Sequence, residues 1–211
     1  YTLSLHDALP ISLEMYPNVE KVKEKEFKAT FEIKTKALYG KLPVAFCMMQ
    51  EILTESQLTD EKRLKEILSM AKSRLQMRFQ SSGHTTAALR AMSYASPLSK
   101  LKDLTSGIGY YEIVKQIEEH FEEEKDVLIK NLQTLTKLLF RPENMMVSYT
   151  AAREGMEDLE KLVSELKAKL FTEPVQGQPC VIHCEKKNEG FKTSSKVQYV
   201  ARAGNFIDGG A

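Results

Sequence analysis

The sequence has no long apolar run, no excess of either charge and few cysteines. Its longest apolar stretches, such as residues 44–49, are far shorter than the ~20 residues that a membrane-spanning helix needs. Lys and Arg number 30 and Asp and Glu number 29, so the formal charge is +1, too weak a field to favour nucleic acid. Three cysteines suit a reducing compartment better than secretion. We therefore expect a soluble, cytoplasmic chain whose partners include neither a membrane nor a nucleic acid.

The two ends of the chain differ from the rest. Residues 1–11, YTLSLHDALPI, match the in-frame translation of a common sequencing-library adapter. We expect them to be a translated adapter artefact and exclude them from functional reasoning, so His6 and Asp7 are not taken as a catalytic pair. The sequence stops at residues 208–211, directly after a strand-like run, which we interpret as a reading frame cut at the end of an assembled contig.

The first half of the remaining chain changes from strand spacing to helix spacing. Apolar and polar residues alternate over residues 27–33, which predicts a strand with one wet face. Helices are predicted over residues 42–52, with Pro43 in the first turn, and from the N-cap Asp60 to about residue 80. The Ser81-Ser82-Gly83 run predicts a break before a further helix over residues 85–94.

The second half contains more helices and, near its end, more strand-like segments. Residues 101–109 have the broken pattern of a loop or a short helix. Helices are predicted over residues 110–121, 124–140 and 156–170, strands over 145–149, 180–185 and 196–203, and a connector over 174–179. Helices and strands occur in separate runs, which predicts an α+β fold in which an antiparallel sheet packs against helices.

The closest approach to a catalytic motif is the segment of residues 116–120, QIEEH, one residue away from an inverted zinc-peptidase motif. A catalytic zinc ion needs three protein ligands and a water, and the motif should supply two imidazoles and a carboxylate base. Gln116 offers only a neutral amide, and Glu119 and His120 continue into a charged run. We therefore interpret this segment as a solvated helix face.

The cysteines and the remaining histidines also favour structural roles. In a strand, Cys180 and Cys184 lie on one face but ~13 Å apart at ~3.3 Å per residue, too far to bind one ion, and His183 between them does not change this. Cys47 lies in an apolar helix and is predicted to be a small core residue. His84 follows the Ser-Ser-Gly break without an orienting acid nearby, so a packing or capping role is favoured over a nucleophile pair.

The glycines near the end of the chain do not make a phosphate-binding loop. Gly204, Gly209 and Gly210 lack the strand, helix and lysine that such a loop requires. From the residues alone, the sequence therefore predicts an α+β domain without a self-sufficient active site.

Several stretches resemble the presequence-protease branch of the pitrilysin/insulinase superfamily of zinc metallopeptidases. The matching runs begin with the SSGH of residues 81–84 and continue through most of the chain; the others are residues 91–94, 96–97, 106–108, 110–111, 140–144 and 196–206. The resemblance implies a fragment of the C-terminal half of a protein with four homologous α+β domains. Residues 12–172 resemble the third, noncatalytic domain, and residues 173–211 resemble the truncated start of the fourth.

The resemblance also implies a function for the parent protein. The family's zinc motif and its distal glutamate belong to the first domain, so this fragment inherits no catalytic and no metal-binding residue, and its substrate-binding residues are unknown. The parent is expected to be a zinc metalloendopeptidase that degrades oligopeptides or unfolded peptides in a closed chamber, with this fragment as chamber wall and the missing N-terminal half as its partner. Two alternatives are a noncatalytic scaffold or partner subunit, and an independent hydrolase that uses Gln116, Glu119 and His120.

Overall fold

A computed structural model describes residues 11–17, 27–175, 181–194 and 196–204 of the chain. The described part is mostly helical and includes one small antiparallel sheet of two strands, β1 (Ile11–Pro17) and β2 (Phe27–Ile33). The chain divides into two compact units. The first comprises residues 1–14, 30–59 and 126–177, and the second comprises residues 15–29, 60–125 and 178–211. The mixture of helices with a small antiparallel sheet agrees with the α+β class.

The described part of the chain contains seven α-helices, and most of them begin at a residue type that commonly starts a helix. They are α1 (Leu42–Thr54), α2 (Glu61–Ser81), α3 (Gly83–Ser93), α4 (Pro97–Ser106), α5 (Ile108–Glu119), α6 (Phe121–Leu139) and α7 (Met156–Lys167). None of these helices is both long and apolar enough to cross a membrane. The predicted N-cap is confirmed, because the Asp60 side chain accepts a hydrogen bond from the Arg63 N–H at 2.9 Å.

In the first unit, α1 packs against α7. Leu42 and Ala45 of α1 are buried, as are Leu159 and Leu166 of α7, so each helix buries one narrow stripe. The aromatic ring of Phe31 in β2 lies 5.1 Å from that of Phe140, just after α6. These contacts join the strand and the helices of this unit through apolar side chains.

In the second unit, α2, α3, α4 and α5 pack against one another in a compact helical cluster. Its core includes the apolar side chains of Leu75, Ile108, Val114 and Phe121. It also includes buried polar residues, of which Ser93 and Asp103 are completely buried. A polar centre of this kind has to be fully hydrogen-bonded, and it is the feature on which the candidate site is built.

Several predictions of secondary structure need correction. Strand β1 was not predicted. Residues 101–109, predicted as a loop or a short helix, contain the end of α4 and the start of α5; α4 begins earlier because Ser96 caps it and Pro97 occupies its first turn. The strand predicted at residues 145–149 is irregular, and Val147 is exposed. Residues 181–185 and 196–203 are also irregular, because within the described residues no neighbouring strand pairs with them.

Cys47 is likewise not the core residue that its apolar helix predicted. The residue is exposed. Ala45 faces the core, and two residues further along a helix a side chain is rotated by ~200°, so Cys47 points away from the buried stripe. The boundary predicted between residues 172 and 173 stays a prediction.

Candidate functional site

The zinc-like segment at the end of α5 is paired with a lysine of α2. Glu118 lies 2.6 Å from the Lys72 ammonium, and Glu119 lies 3.7 Å from the same group. His120 is exposed, and its Nδ1 contacts the Gln116 carbonyl oxygen at 3.1 Å, within its own helix turn. Among the described residues, no group of three or more His, Cys, Asp or Glu side chains is placed to hold a metal ion. The segment therefore has the geometry of a charged helix surface.

Electrostatics give the same picture of this surface. The hydrogen bond from Lys72 lowers the pKa of Glu118 below its ordinary value, and the same bond raises the pKa of Lys72. Both shifts favour the charged forms at neutral pH, whereas a catalytic base usually has a pKa moved towards neutrality. Glu118 is therefore an ion-pair partner that links α5 to α2.

The other predicted candidates are dispersed. His183 is exposed, Cys184 is half-buried, and Cys180 lies outside the described residues. His84 is exposed at the start of α3, and its ring lies 5.9 Å from the ring of Tyr199. Gly204 is surrounded by open space.

Four of the remaining candidates also lie outside the described residues: His6, Asp7, Gly209 and Gly210. The described candidates are not brought together into one site.

The most highly organised polar site of the described chain is an arginine cluster that the sequence reasoning missed. Arg90 projects from α3 and Asp103 from α4, and both are buried in the second unit. Arg90 Nη1 donates to Asp103 Oδ2 at 2.6 Å. The guanidinium and the carboxylate compensate each other's charge, which is the condition for burying either of them.

Asp103 also caps the start of α5. Its Oδ1 accepts from the Ile108 N–H at 3.0 Å and its Oδ2 accepts from the Gly109 N–H at 3.2 Å, so two N-terminal donors of the helix are satisfied. The carboxylate approaches the backbone so closely that a Cβ at Gly109 would lie 2.8 Å from Oδ2, and one at Gly107 would also clash with Asp103. Glycine is needed at both positions to leave room for this side chain.

The outer side of Arg90 binds a second carboxylate, that of Glu189. Arg90 Nε donates to Oε2 at 2.8 Å and Nη2 donates to Oε1 at 3.2 Å, a two-pronged arrangement. The Tyr94 hydroxyl donates to the same carboxylate at 2.5 Å. The Arg90 guanidinium lies 5.8 Å from the ring of Tyr94 and 5.6 Å from the ring of Phe191. One arginine thus joins a helical bundle to an otherwise irregular segment.

The pKa shifts in this cluster follow from its contacts. Burial disfavours the charge on Arg90, but hydrogen bonds with Glu189 and Asp103 outweigh it and raise the pKa of Arg90 above its ordinary value. The hydrogen bonds from Arg90 and then Tyr94 lower the pKa of Glu189. Burial, followed by the bond to Glu189, raises the pKa of Tyr94. Arg90, Glu189 and Tyr94 are therefore held in the forms that bind one another, as in a structural ion-pair network.

The sequence holds no linear signal for this cluster, although its residues lie in or near stretches with the family resemblance. Tyr94 belongs to the run at residues 91–94, and Gly107 belongs to the run at 106–108, both of which carry the family resemblance. Arg90 and Asp103 stand next to these runs, but nothing in a linear pattern indicates that they meet.

An open depression in the first unit has a different character. It has a volume of about 510 Å³. Its lining consists largely of polar side chains from residues 56–59 and from α6, including Lys130, Gln133 and Lys137, with Phe171 at one side. Small-molecule sites are usually enclosed and mostly apolar. This depression therefore has the character of a solvated surface.

Comparison with protein families gives a match over residues 9–117 to the model of the associated domain of M16 peptidases, subfamily C. This range contains the sheet, α1 to α4 and most of α5, and thus both Arg90 and Asp103.

Curated relatives give concordant matches. The chain is 31% identical over 184 residues to "Protein HypA" of Clostridium perfringens. This match covers 87% of this chain and 19% of that protein. It is 24% identical over 200 residues to "Presequence protease 1, chloroplastic/mitochondrial" of Arabidopsis thaliana, covering 94% of this chain and 18% of that protein. It is 30% identical over 128 residues to "Presequence protease, mitochondrial" of Drosophila melanogaster, covering 60% of this chain and 12% of that protein. The chain thus spans less than a fifth of the length of these relatives.

Proposed function

Because the chain belongs to the family of domains associated with subfamily C of the M16 peptidases, within the C-terminal region of the pitrilysin/insulinase group, we propose that it is a noncatalytic part of a zinc metalloendopeptidase. The observation that carries this proposal is the family match over residues 9–117. In the proposed parent, another part of the chain cleaves oligopeptides or unfolded peptides, and this part forms a wall of the chamber that encloses them.

The acidic residues of the zinc-like segment, Glu118 and Glu119, are paired with Lys72. We propose that the zinc ion of the parent is bound in another part of its chain. Zinc would there supply a metal-activated water.

A wall role is also supported by exposed apolar side chains in the first unit. Leu38 is 80% exposed, Met146 is 75% exposed and Val44 is 55% exposed. Contiguous patches of such side chains mark surfaces that meet other protein or peptide. We propose that these side chains meet either the N-terminal half of the parent or an unfolded peptide substrate. The cytoplasmic location remains a proposal that rests on the cysteine count.

The first experiment is to recover the unbroken gene by amplifying outward from Ser12 and from Ala203. We expect an HxxEH motif and a distal glutamate in an upstream homologous domain. If the gene lacks this motif, the zinc peptidase proposal is wrong and a noncatalytic scaffold or partner subunit takes its place.

The second experiment uses the full-length parent protein. We expect it to cleave a short unfolded peptide, to leave a folded protein with the same cleavage sequence intact, and to lose activity when a chelator removes zinc and regain it when zinc is added back. A chamber selects substrates by size and by folding, so equal cleavage of the folded protein would contradict the chamber role.

A further inference from the structure

The irregular segment that carries Glu189 lies along helix α3 in the second unit. Glu189 contacts Arg90 and Tyr94 at the C-terminal end of α3, whereas Tyr199 contacts Gly83 and His84 at its N-terminal end. The segment therefore runs antiparallel to the helix. We call its described residues, 189–194 and 196–199, the strap.

The strap is longer than the helix portion that it follows. Ten residue steps of extended chain span ~33 Å, whereas the seven steps from Gly83 to Arg90 rise only ~10 Å along a helix. The excess length lets the strap curve between its two ends. At Ser194 it is also bound by the Gln80 side-chain amide, with a 3.0 Å hydrogen bond from the end of α2.

The first attachment of the strap is the Glu189 carboxylate. Its side chain is 24% exposed, and it accepts from both Arg90 and Tyr94. Charge-assisted, two-pronged bonds of this kind are the strong class of side-chain hydrogen bond. This end of the strap is held mainly by charge.

The second attachment is the Tyr199 ring, which lies directly on Gly83. A Cβ added at Gly83 would lie 2.7 Å from two ring carbons of Tyr199. Glycine at this position therefore permits the ring to approach the helix start, and the neighbouring His84 ring extends the contact. This end of the strap is held mainly by the close packing of the Tyr199 ring on Gly83.

Between these attachments the strap has no regular secondary structure and its residues are exposed. A segment that has no regular secondary structure and whose residues are exposed has a low local opening energy. By contrast, the inner half of the Arg90 cluster is complete without the strap, because Asp103 binds Arg90 Nη1 and the N–H groups of Ile108 and Gly109.

We propose that the strap is detachable from helix α3 and is locked by Glu189 at one end and by Tyr199 at the other. Opening breaks the outer bonds of Arg90 and leaves its inner bond to Asp103 intact, so the helices stay folded while the strap is released. Release uncovers the outer edge of Arg90 and the Tyr94 hydroxyl, and it frees the segment that leads towards residue 204. This inference goes beyond the proposed peptidase role and does not depend on it.

The test is limited proteolysis of the 211-residue chain with trypsin under native conditions. Lys192 and Lys196 lie within the strap and are exposed, but a protease needs the surrounding backbone to open before it cleaves. When opening is fast relative to cleavage, the cleavage rate follows the open population. We expect Glu189→Gln to speed cleavage at both lysines roughly tenfold or more, because it removes the charge from a hydrogen-bonded ion pair.

The matched control is Glu185→Gln, the same change in the same segment. The Glu185 side chain is 78% exposed, and within the described chain its one ion pair is with Lys187. We expect its cleavage pattern to equal that of the wild type. Cleavage at Lys100 and Lys102 in α4 reports on the bundle and should stay slow in all variants.

Tyr199→Ala tests the other lock independently of the charge cluster. It should also accelerate cleavage in the strap while α4 stays protected. The proposal is wrong if Glu189→Gln and Glu185→Gln give equal strap cleavage, or if α4 becomes cleavable together with the strap in both lock variants, since the strap would then not open separately.

Discussion

The substitution Asp103→Asn tests whether the buried Arg90 cluster stabilises the helical bundle of the second unit. The side chain is fully buried and accepts three hydrogen bonds, from Arg90 Nη1 at 2.6 Å and from the Ile108 and Gly109 N–H groups at 3.0 and 3.2 Å. Asparagine has nearly the same shape but only one acceptor oxygen, and it carries no charge to balance the guanidinium. Every consequence of the change is therefore chemical and not steric.

The magnitude follows from the group that is left behind. Removing one partner of a buried ion pair costs about 3–5 kcal/mol, because the other charge remains buried without compensation. Arg90 keeps its bonds to Glu189, which moderates the loss, whereas one unsatisfied helix N–H adds to it. We expect the free energy of unfolding to fall by about 3 kcal/mol, which is a large part of the ~5–15 kcal/mol typical of a folded domain.

The assay is urea unfolding of the 211-residue chain, followed by far-ultraviolet circular dichroism. The midpoint should fall while the slope stays constant, which indicates lost stability without a change in the surface exposed. Asp126→Asn is the matched control, since Asp126 is exposed near the start of α6, and its effect should stay within ~0.5 kcal/mol. If the two variants have equal midpoints, the ion pair does not stabilise the bundle and the reasoning is refuted.

Two further predictions concern a glycine contact and an ion pair. Gly83→Ala should displace the Tyr199 ring and speed tryptic cleavage of the strap, and it should have no additional effect in a Tyr199→Ala background. The control is Gly40→Ala, because no atom lies within 4 Å of a Cβ at that position. Additive effects of Gly83→Ala and Tyr199→Ala would show that the two residues do not act through their contact. Lys72→Met should lower the free energy of unfolding by about 0.5–1 kcal/mol at neutral pH, measured by urea unfolding. The pKa of Glu118 is lowered in the folded chain, so the stability that its ion pair with Lys72 contributes is present above the unfolded pKa of ~4.3. This contribution is lost as the pH falls through the pKa of Glu118 in the folded chain. An equal Lys72→Met effect at pH ~2 would contradict the ion pair.

The cluster also gives a physical meaning to stretches that carry the family resemblance. Gly83, Tyr94, Gly107 and Tyr199 come from four separate runs of the sequence. In the second unit, Tyr94 and Gly107 contact the Arg90 cluster, whereas Gly83 and Tyr199 contact each other at the other end of α3. Two of these residues are glycines against which a side chain lies closer than a Cβ would allow. These runs are therefore sites of close tertiary contact, and their residue types follow from that contact.

Local signals in the sequence determined most of the helices. The spacing of apolar residues, the cap at Asp60 and the break at residues 81–83 depend on neighbours within a few positions, so they can be read without the fold. The same applies to the existence of strand β2. Its burial, however, does not follow the apolar alternation that predicted one wet face, since Phe31 is exposed and Thr30 is half-buried. Patterns of this kind failed at residues 145–149 and 196–203, because a strand also requires a partner that the local sequence does not specify.

The sequence by itself thus determined the helical segments, the family and the absence of a strong charge or a membrane-spanning run. Only the tertiary structure decided that Arg90, Asp103 and Glu189 meet, although 13 and 99 residues separate Arg90 from its two partners. Helix periodicity fixes which face of a helix a residue occupies, but it does not fix which residue of another element faces it. That choice depends on how the helices pack, and the need to compensate each buried charge then makes the resulting contacts specific.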